Sequence, residues 1–353
     1  MKQIYVQAQA DHIASLAKAA PVSALEELIW NALDADAHEV RVDLITNALG
    51  AVEAVRISDD GTGIDVMKAD ATFGSLGGSW KRFGSATEGS NRRLHGRHGR
   101  GRFKAFALGS HVEWRTTVRL DGELKSYVLS GDIATPGVFE LEAQDQAGPG
   151  TGTEVFVSNA SVNCDSLLNA AESVQALAAK FALYLKSYPD VRIFFNGLPV
   201  TPVVVQRQTT DYKLTLENGT EAKLEVIEWK CKFAGAGRLV FAGMDGFQLH
   251  EQAAGIRSNG QPFTAYLVSS RIPVLAAENA LVMDELNPEV RQFIDAARKV
   301  LKAHFQVQMD ENIKAFRKEW KARIATFSEM ERKTLYLLLK KSLKSPLQTP
   351  ASV

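Results

Sequence analysis

The stretch Glu27-Leu28-Ile29-Trp30-Asn31-Ala32-Leu33-Asp34-Ala35 constrains the fold more than any other part of the chain. It reads as a helix, because Leu25, Leu28, Ile29 and Leu33 recur at helical spacing. Glu27 and Asn31 are four apart and Asp34 is three further on, so the three polar side chains project in one direction. A row of this kind among apolar neighbours is costly to bury unless something binds it, such as a hydrated metal ion, a water and a polar ligand. The alternative is the solvated face of an amphipathic helix. The helix alone does not decide between the two.

Three downstream motifs bear on the choice. Ser58-Asp59-Asp60-Gly61-Thr62-Gly63-Ile64 is a glycine-rich turn at the end of an apolar strand. Gly96-Arg97-His98-Gly99-Arg100-Gly101 precedes a second helical pattern, and Gly150-Thr151-Gly152-Thr153 precedes a second apolar strand. There is no GxxxxGK[ST], so this is not a P-loop. In order and spacing the helix and these three motifs resemble the GHKL superfamily of ATPases. That superfamily groups DNA gyrase B, the ninety-kilodalton heat-shock chaperone, histidine kinases and MutL. The resemblance covers roughly residues 20 to 160, and the motif spelling is nearest to MutL- and MORC-type ATPases.

The resemblance implies ATP and Mg2+ as cofactors and assigns roles residue by residue. Glu27 would be the general base that orients a water for attack on phosphorus, which histidine kinases lack. Asn31 would hold the magnesium ion through its side-chain oxygen, since magnesium prefers oxygen ligands and keeps several waters. Asp34 matches a second acid that supports the site indirectly. Asp59 would accept the exocyclic amine of adenine, with Gly61, Gly63 and Ile64 completing the turn around the ring. Asp60 stands where many relatives carry asparagine. Gly96, Gly99 and Gly101 would let backbone amides cradle phosphates, with Arg100 as an interleaved phosphate contact and Lys81 as a lid lysine. Thr153 would help hold adenine through a water. Each residue also has a structural reading: surface carboxylate, capping amide, turn aspartate, solvated arginine or β-branched strand residue.

The resemblance implies a two-layer α/β (α+β) sandwich with a mixed sheet, the Bergerat-type ATP-binding fold, over residues 1–205. Ile4 to Val6 reads as a strand and Asp11 to Ala20 as a helix ended by Pro21, with Ser23 capping the next helix. Val40 to Leu44 and Val52 to Ile57 alternate around a turn at Asn47–Gly50, which predicts a hairpin. A helix is expected from about Asp65. Residues 74–102 are small, polar and rich in arginine, the texture of a lid. Strands are expected near His111–Arg119, Leu124–Leu129, Val138–Leu141, Thr153–Val157 and Val191–Phe195, with one long helix over Asp165–Tyr188. Pro199 and Pro202 mark a boundary. Residues 206–285 alternate again, which predicts a second, smaller sheet, and this α/β segment resembles the transducer domain that follows the ATPase domain in MutL, gyrase B and MORC proteins. Residues 286–345 read as a helical segment and 346–353 as a disordered tail. Within the helical segment, one helix is expected to start at Asn287, and another to carry Ile313, Phe316, Trp320, Ile324, Phe327, Leu335 and Leu338.

In transducer domains a loop lysine usually reaches the terminal phosphate. The comparable stretch here, Ile272 to Asp284, holds no lysine or arginine, which leaves Arg257 or Arg271 as substitutes. The 41 basic and 41 acidic side chains give a net charge of zero, which argues against a global attraction to nucleic acid or membrane. Cys164 and Cys231 are far apart and lack metal-type spacing, as expected of reduced thiols in a cytoplasmic protein. No apolar run reaches transmembrane length. The functional expectation is a magnesium-dependent ATPase that switches conformation and forms a homodimer on binding ATP. The alternatives are a nucleotide-gated clamp on DNA or a protein partner with little turnover, as in a bacterial defence system, and a histidine-kinase-type phosphotransferase.

Overall fold

A computed structural model describes residues 19–66, 87, 89–90, 92, 94, 101–135, 138–230, 232, 236–258, 260–283, 286–320 and 327–342. The expectations for the strand at Ile4–Val6, most of the helix that begins at Asp11, the helix after Asp65, most of 74–102 and the tail fall outside these residues. The chain divides into two compact units, Met1–Pro202 and Val203–Val353.

In the first unit, helix α1 (Pro21–Asp34) starts on Pro21 itself, with Ala20 in extended conformation before it. The expectation that Ser23 caps this helix is therefore corrected. Proline's fixed φ and missing N–H suit the first helical position, where that N–H has no partner anyway. The helix stops at Asp36, whose φ of 62° no helix can continue. Strands β1 (Glu39–Thr46) and β2 (Val52–Asp59) form the expected hairpin. After α2 (Gly101–Lys104) and a 3-10 turn (Ala105–Ala107) come β3 (Gly109–Leu120), β4 (Glu123–Asp132), β5 (Phe139–Ala143) and β6 (Gly152–Ala160). The helix expected over Asp165–Tyr188 is two pieces, a 3-10 segment (Val162–Leu168) and α3 (Ala170–Ser187). Asn169 splits them because its side chain caps the Glu172 N–H and bonds the Glu172 carboxylate, a helix-start signature in mid-pattern. Strands β7 (Arg192–Phe195) and β8 (Leu198–Pro199) complete the unit.

The eight strands form one mixed sheet in the order β5-β4-β3-β6-β2-β1-β7-β8, with β1 and β7 parallel. Register lines up an inward apolar row, Phe195, Val42, Ile57, Val155, Trp114 and Leu129, across six strands. All six are buried. Helices α1 and α3 supply the second layer. Trp30 lies 4.8 Å from the Phe181 ring and 5.0 Å from the Tyr184 ring, edge-on to the latter. The opposite face carries a charged ladder, with Arg56 and Arg115 over Phe156 and Arg41 over Phe194. The period of two thus sorts each strand into a core face and a solvated face.

The second unit is a five-stranded sheet, ordered β12-β11-β13-β10-β9, built from β9 (Gln206–Thr215), β10 (Glu221–Trp229), β11 (Arg238–Ala242), β12 (Gln248–Ala253) and β13 (Phe263–Val268). Strand β12, Gln-Leu-His-Glu-Gln-Ala, was not expected from the sequence because only one of its residues is a strong apolar marker. Helices α4 (Ile272–Ala277), α5 (Pro288–Glu319) and α6 (Glu329–Ser342) follow. Ile313 and Phe316 belong to α5 and Trp320 caps it, whereas Leu335 and Leu338 lie in α6. The expected second helix is thus the end of one and the body of another. Leu301, Phe293 and Val290 of α5 share one core with Leu224, Leu239 and Phe263 of the sheet. A buried polar chain ties the same layers. Tyr212 Oη lies 2.7 Å from His304 Nδ1, His304 Nε2 lies 3.0 Å from Glu228, and Gln308 donates to Glu228 as well. Burial alone would raise the Glu228 pKa, but these bonds outweigh it and hold the carboxyl below its usual range.

Because Phe293 is fully buried between α5 and the sheet, Phe293→Ala is expected to cost about 3–5 kcal/mol. The measurement is a urea titration of the full chain, in which the transition of the second unit should move to lower urea.

Candidate functional site

The site is assembled where the end of α1 meets the end of β2. Alternation puts Asp59 on the same face as Ile57, and register puts it opposite Val40 on one side and Thr153 on the other. Thr153 in turn faces Thr116. The inward row two residues beyond the apolar row is therefore polar: Thr116, Thr153 and Asp59.

A set of hydrogen bonds fixes this polar end to its neighbours. The Thr62 N–H donates to the Ala35 carbonyl at 2.7 Å. Asp60 Oδ1 accepts from the N–H groups of His38 and Glu39 at 2.7 and 2.8 Å, holding the first residues of β1. Ile64 N–H donates to Thr116 Oγ1 at 2.8 Å, and that hydroxyl also reaches the Gly152 carbonyl and Thr153 Oγ1, both at 3.2 Å. Glycine is required in this turn by the protein's own packing. A Cβ on Gly61 would lie 2.6 Å from the Ala35 carbonyl oxygen, and one on Gly63, where φ is 80°, would collide with the Thr117 carbonyl.

Asp59 Oδ1 accepts from the Gly61 N–H at 2.9 Å and from the Thr153 N–H at 3.3 Å. Burial pushes its pKa up, to about 6 from 3.8; the two backbone bonds oppose the shift and the neighbouring Asp60 charge adds to it. The second oxygen, Oδ2, accepts no hydrogen bond among the described residues. It is the acceptor left for a ligand's donor.

The three-residue face of α1 is graded. Glu27 and Asn31 are part-exposed, whereas Asp34 is buried at 6% exposure. Asp34 lies close enough to Tyr184 to raise that hydroxyl's pKa, with burial the larger cause. The row that points one way in the sequence therefore runs from the rim inward. Glu27 has a partner that its sequence neighbours do not reveal: Lys104 Nζ lies 3.0 Å from Glu27 Oε2, with the side chains 31% and 19% exposed. The eight-residue interval from Glu27 to Ala35 sets the two ends of the site about 12 Å apart along the helix.

Just past the helix, Asp36 accepts from the Gly89 N–H at 2.8 Å and the Ser90 N–H at 3.3 Å, and pairs with Arg92 at 3.4 Å. Arg92 is 2% exposed. Burial raises the Asp36 pKa, but the bonds from Thr87, Gly89 and Ser90 and the Arg92 charge outweigh it and lower it overall. Thr87 and Arg92 close the loop between them through Thr87 N–H to the Arg92 carbonyl and Arg92 N–H to Thr87 Oγ1.

The structure thus brings together Glu27, Asn31, Asp34, Asp59, Gly61, Gly63, Ile64 and Thr153 around α1 and the end of β2. Gly101 opens α2, whose last residue is Lys104. Lys81, Gly96, Gly99 and Arg100 lie outside the described residues. Asp36, Asp60, Arg92, Lys104 and Thr116 were missed as structural contributors; Asp60 alone carried a signal, as the second acid of the turn. No group of three or more His, Cys, Asp or Glu is placed to hold a metal among the described residues.

Residues 19–135 match the model of the family described as histidine kinase-, DNA gyrase B-, and HSP90-like ATPase. This stretch of the first unit is thereby similar to GHKL-type ATPase domains. The match takes in α1, β1, β2 and α2, and with them Glu27, Asn31, Asp59 and Lys104. It stops before Thr153. No curated protein matches the chain. The eight-stranded mixed sheet with helices on one face is the fold class expected from the sequence and is consistent with the GHKL ATP-binding fold. The match supports ATP binding and a nucleotide-dependent switch. No helix among the described residues is long and apolar enough to cross a membrane.

The native state holds the Asp59 proton to higher pH than the unfolded chain does, since folding raises its pKa from 3.8 to about 6. Below the lower value the group costs nothing; its cost to stability grows as pH rises from the lower value to the upper one and is complete above it. Asp59→Asn keeps the Oδ1 acceptor and removes the charge. Thermal unfolding should therefore show the variant more stable than wild type near pH ~8, with the difference vanishing near pH ~4.

Proposed function

We propose that the GHKL-type domain binds ATP with magnesium across α1 and hydrolyses it, and that the chain works as a nucleotide-driven conformational switch. The observation that carries this reading is the placement of two carboxylates of different character: Asp59 in the turn fastened to the end of α1, and Glu27 in the middle of that helix. The Asp59 oxygen that accepts no hydrogen bond among the described residues offers an acceptor for the adenine amine. About 12 Å back along the helix from Ala35, Glu27 is part-exposed and meets Lys104, just after the glycine motif. Asn31 lies one turn from Glu27, part-exposed, with a side-chain oxygen of the hard type that magnesium takes. A bound magnesium ion would neutralise charge on the phosphate oxygens.

Glu27 orients a water and takes its proton as the water oxygen bonds to the terminal phosphorus. The bond from that phosphorus to the bridging oxygen breaks, leaving ADP and phosphate. Asp34, buried beside Tyr184, positions the helix and does not reach the nucleotide. Asp59→Asn would replace the acceptor Oδ2 with an amide that donates, facing the adenine amine donor to donor, and so weakens binding. The presence of Glu27 favours hydrolysis over phosphotransfer of the histidine-kinase type. Dimerisation on ATP binding, and use of the dimer as a MutL- or MORC-like clamp on DNA or a protein, complete the proposed switch.

Glu27→Ala is expected to lower ATP turnover by about 10²–10⁴-fold while leaving nucleotide affinity within a few-fold of wild type. Turnover is read by phosphate release and affinity by calorimetry. Wild-type turnover in the variant would remove Glu27 from the chemistry. Sedimentation with a non-hydrolysable ATP analogue, with and without DNA, reads the dimer and the clamp.

A further inference from the structure

We infer that Lys104 is a nucleotide sensor within the ATPase domain itself: it pairs with Glu27 when no terminal phosphate is present and moves to that phosphate when ATP binds. The inference rests on the reading of Glu27 as the base and goes beyond it.

Three observations lead here. The first is the contact, Lys104 Nζ at 3.0 Å from Glu27 Oε2, between the end of α2 and the middle of α1. An ammonium that donates to the base holds it in a salt bridge, away from a water. The second is the mounting of the lysine. Phe103, Ala105 and Phe106 on either side are at most 5% exposed, so the backbone is packed in place while the Lys104 side chain is 31% exposed. A long flexible stem on a fixed base can exchange one anion for another nearby. The third is charge. A terminal phosphate beside Glu27 needs positive charge near it, and Lys104 already stands within hydrogen-bond distance of that carboxylate.

A terminal phosphate carries more charge and more acceptor oxygens than one carboxylate, so it takes the ammonium from Glu27. Releasing the carboxylate frees it to receive the water's proton. The base is thereby freed only when there is a phosphate to attack. After cleavage and loss of phosphate, Lys104 returns to Glu27.

The test compares affinities for ADP and for a non-hydrolysable ATP analogue, by calorimetry with magnesium, in wild type, Lys104→Met, Lys104→Arg and Glu27→Gln. Lys104→Met should lose about tenfold or more of the preference for the triphosphate, keep ADP affinity, and lose turnover. Lys104→Arg should restore part of both. Glu27→Gln, which releases the lysine, should bind the triphosphate at least as tightly as wild type. An unchanged preference in Lys104→Met overturns the inference and leaves the ATPase reading standing. Equal loss of both nucleotides, with a lowered thermal midpoint that Lys104→Arg corrects, makes the pair merely structural and also overturns it. Failure of the wild-type chain to bind either nucleotide removes the ATP reading, and the sensor with it.

Discussion

The hydrogen bond from the Thr62 N–H to the Ala35 carbonyl is the contact on which the site depends. It joins the end of the helix that bears Glu27 and Asn31 to the turn that bears Asp59. It exists because Gly61 has no side chain, leaving the turn free to close within van der Waals distance of Ala35. Asp60 adds a second fastening by accepting from two consecutive N–H groups at the start of β1. Helix, turn and strand thus share one corner, and the separation of the two carboxylates follows from the helical rise together with this fastening. A ligand that touches both ends meets a preformed spacing. Little ordering of this corner is then left to oppose binding.

The balance at Asp59 follows from that corner. Packing removes water from the carboxyl and raises its pKa, which is a cost to the native state near neutral pH. The two backbone N–H groups on Oδ1 reduce the cost without cancelling it. The other oxygen accepts no hydrogen bond among the described residues, so the carboxyl is held at a cost to the fold that these contacts do not offset.

The sheet was largely legible in the sequence because its strands alternate strictly. Val40–Leu44, Val52–Ile57 and Thr153–Val157 each present one apolar face, and a slip of one residue would turn that face outward. The hairpin at Asn47–Gly50 followed from local turn chemistry. Errors arose where a local signal had two meanings. Pro21 starts a helix as readily as it ends one, Asn169 caps inside an apparently continuous pattern, and β12 is too polar to stand out. Glu27, Asn31 and Asp59 could be singled out as candidates because motif spacing survives in one dimension. Lys104 could not, since its partner lies 77 positions away and an isolated lysine after an apolar residue has no pattern. The same holds for Asp36 and Arg92, whose pairing depends on tertiary closure. The second unit's sheet was visible as alternation in four of its five strands. That α5 would share their core was not, because amphipathic spacing fixes which face is buried and not against what.

The sheet of the first unit also bears on association, through its two outermost strands. At one side β8 has only two residues and ends in Pro199, which has no N–H to offer a neighbouring strand. At the other side β5, Phe-Glu-Leu-Glu-Ala, carries Glu140 and Glu142 exposed to solvent, so an added strand would meet like or unpaired charge. Both margins resist extension of the sheet. Among the described residues, aggregation by strand-to-strand growth is therefore discouraged at both margins.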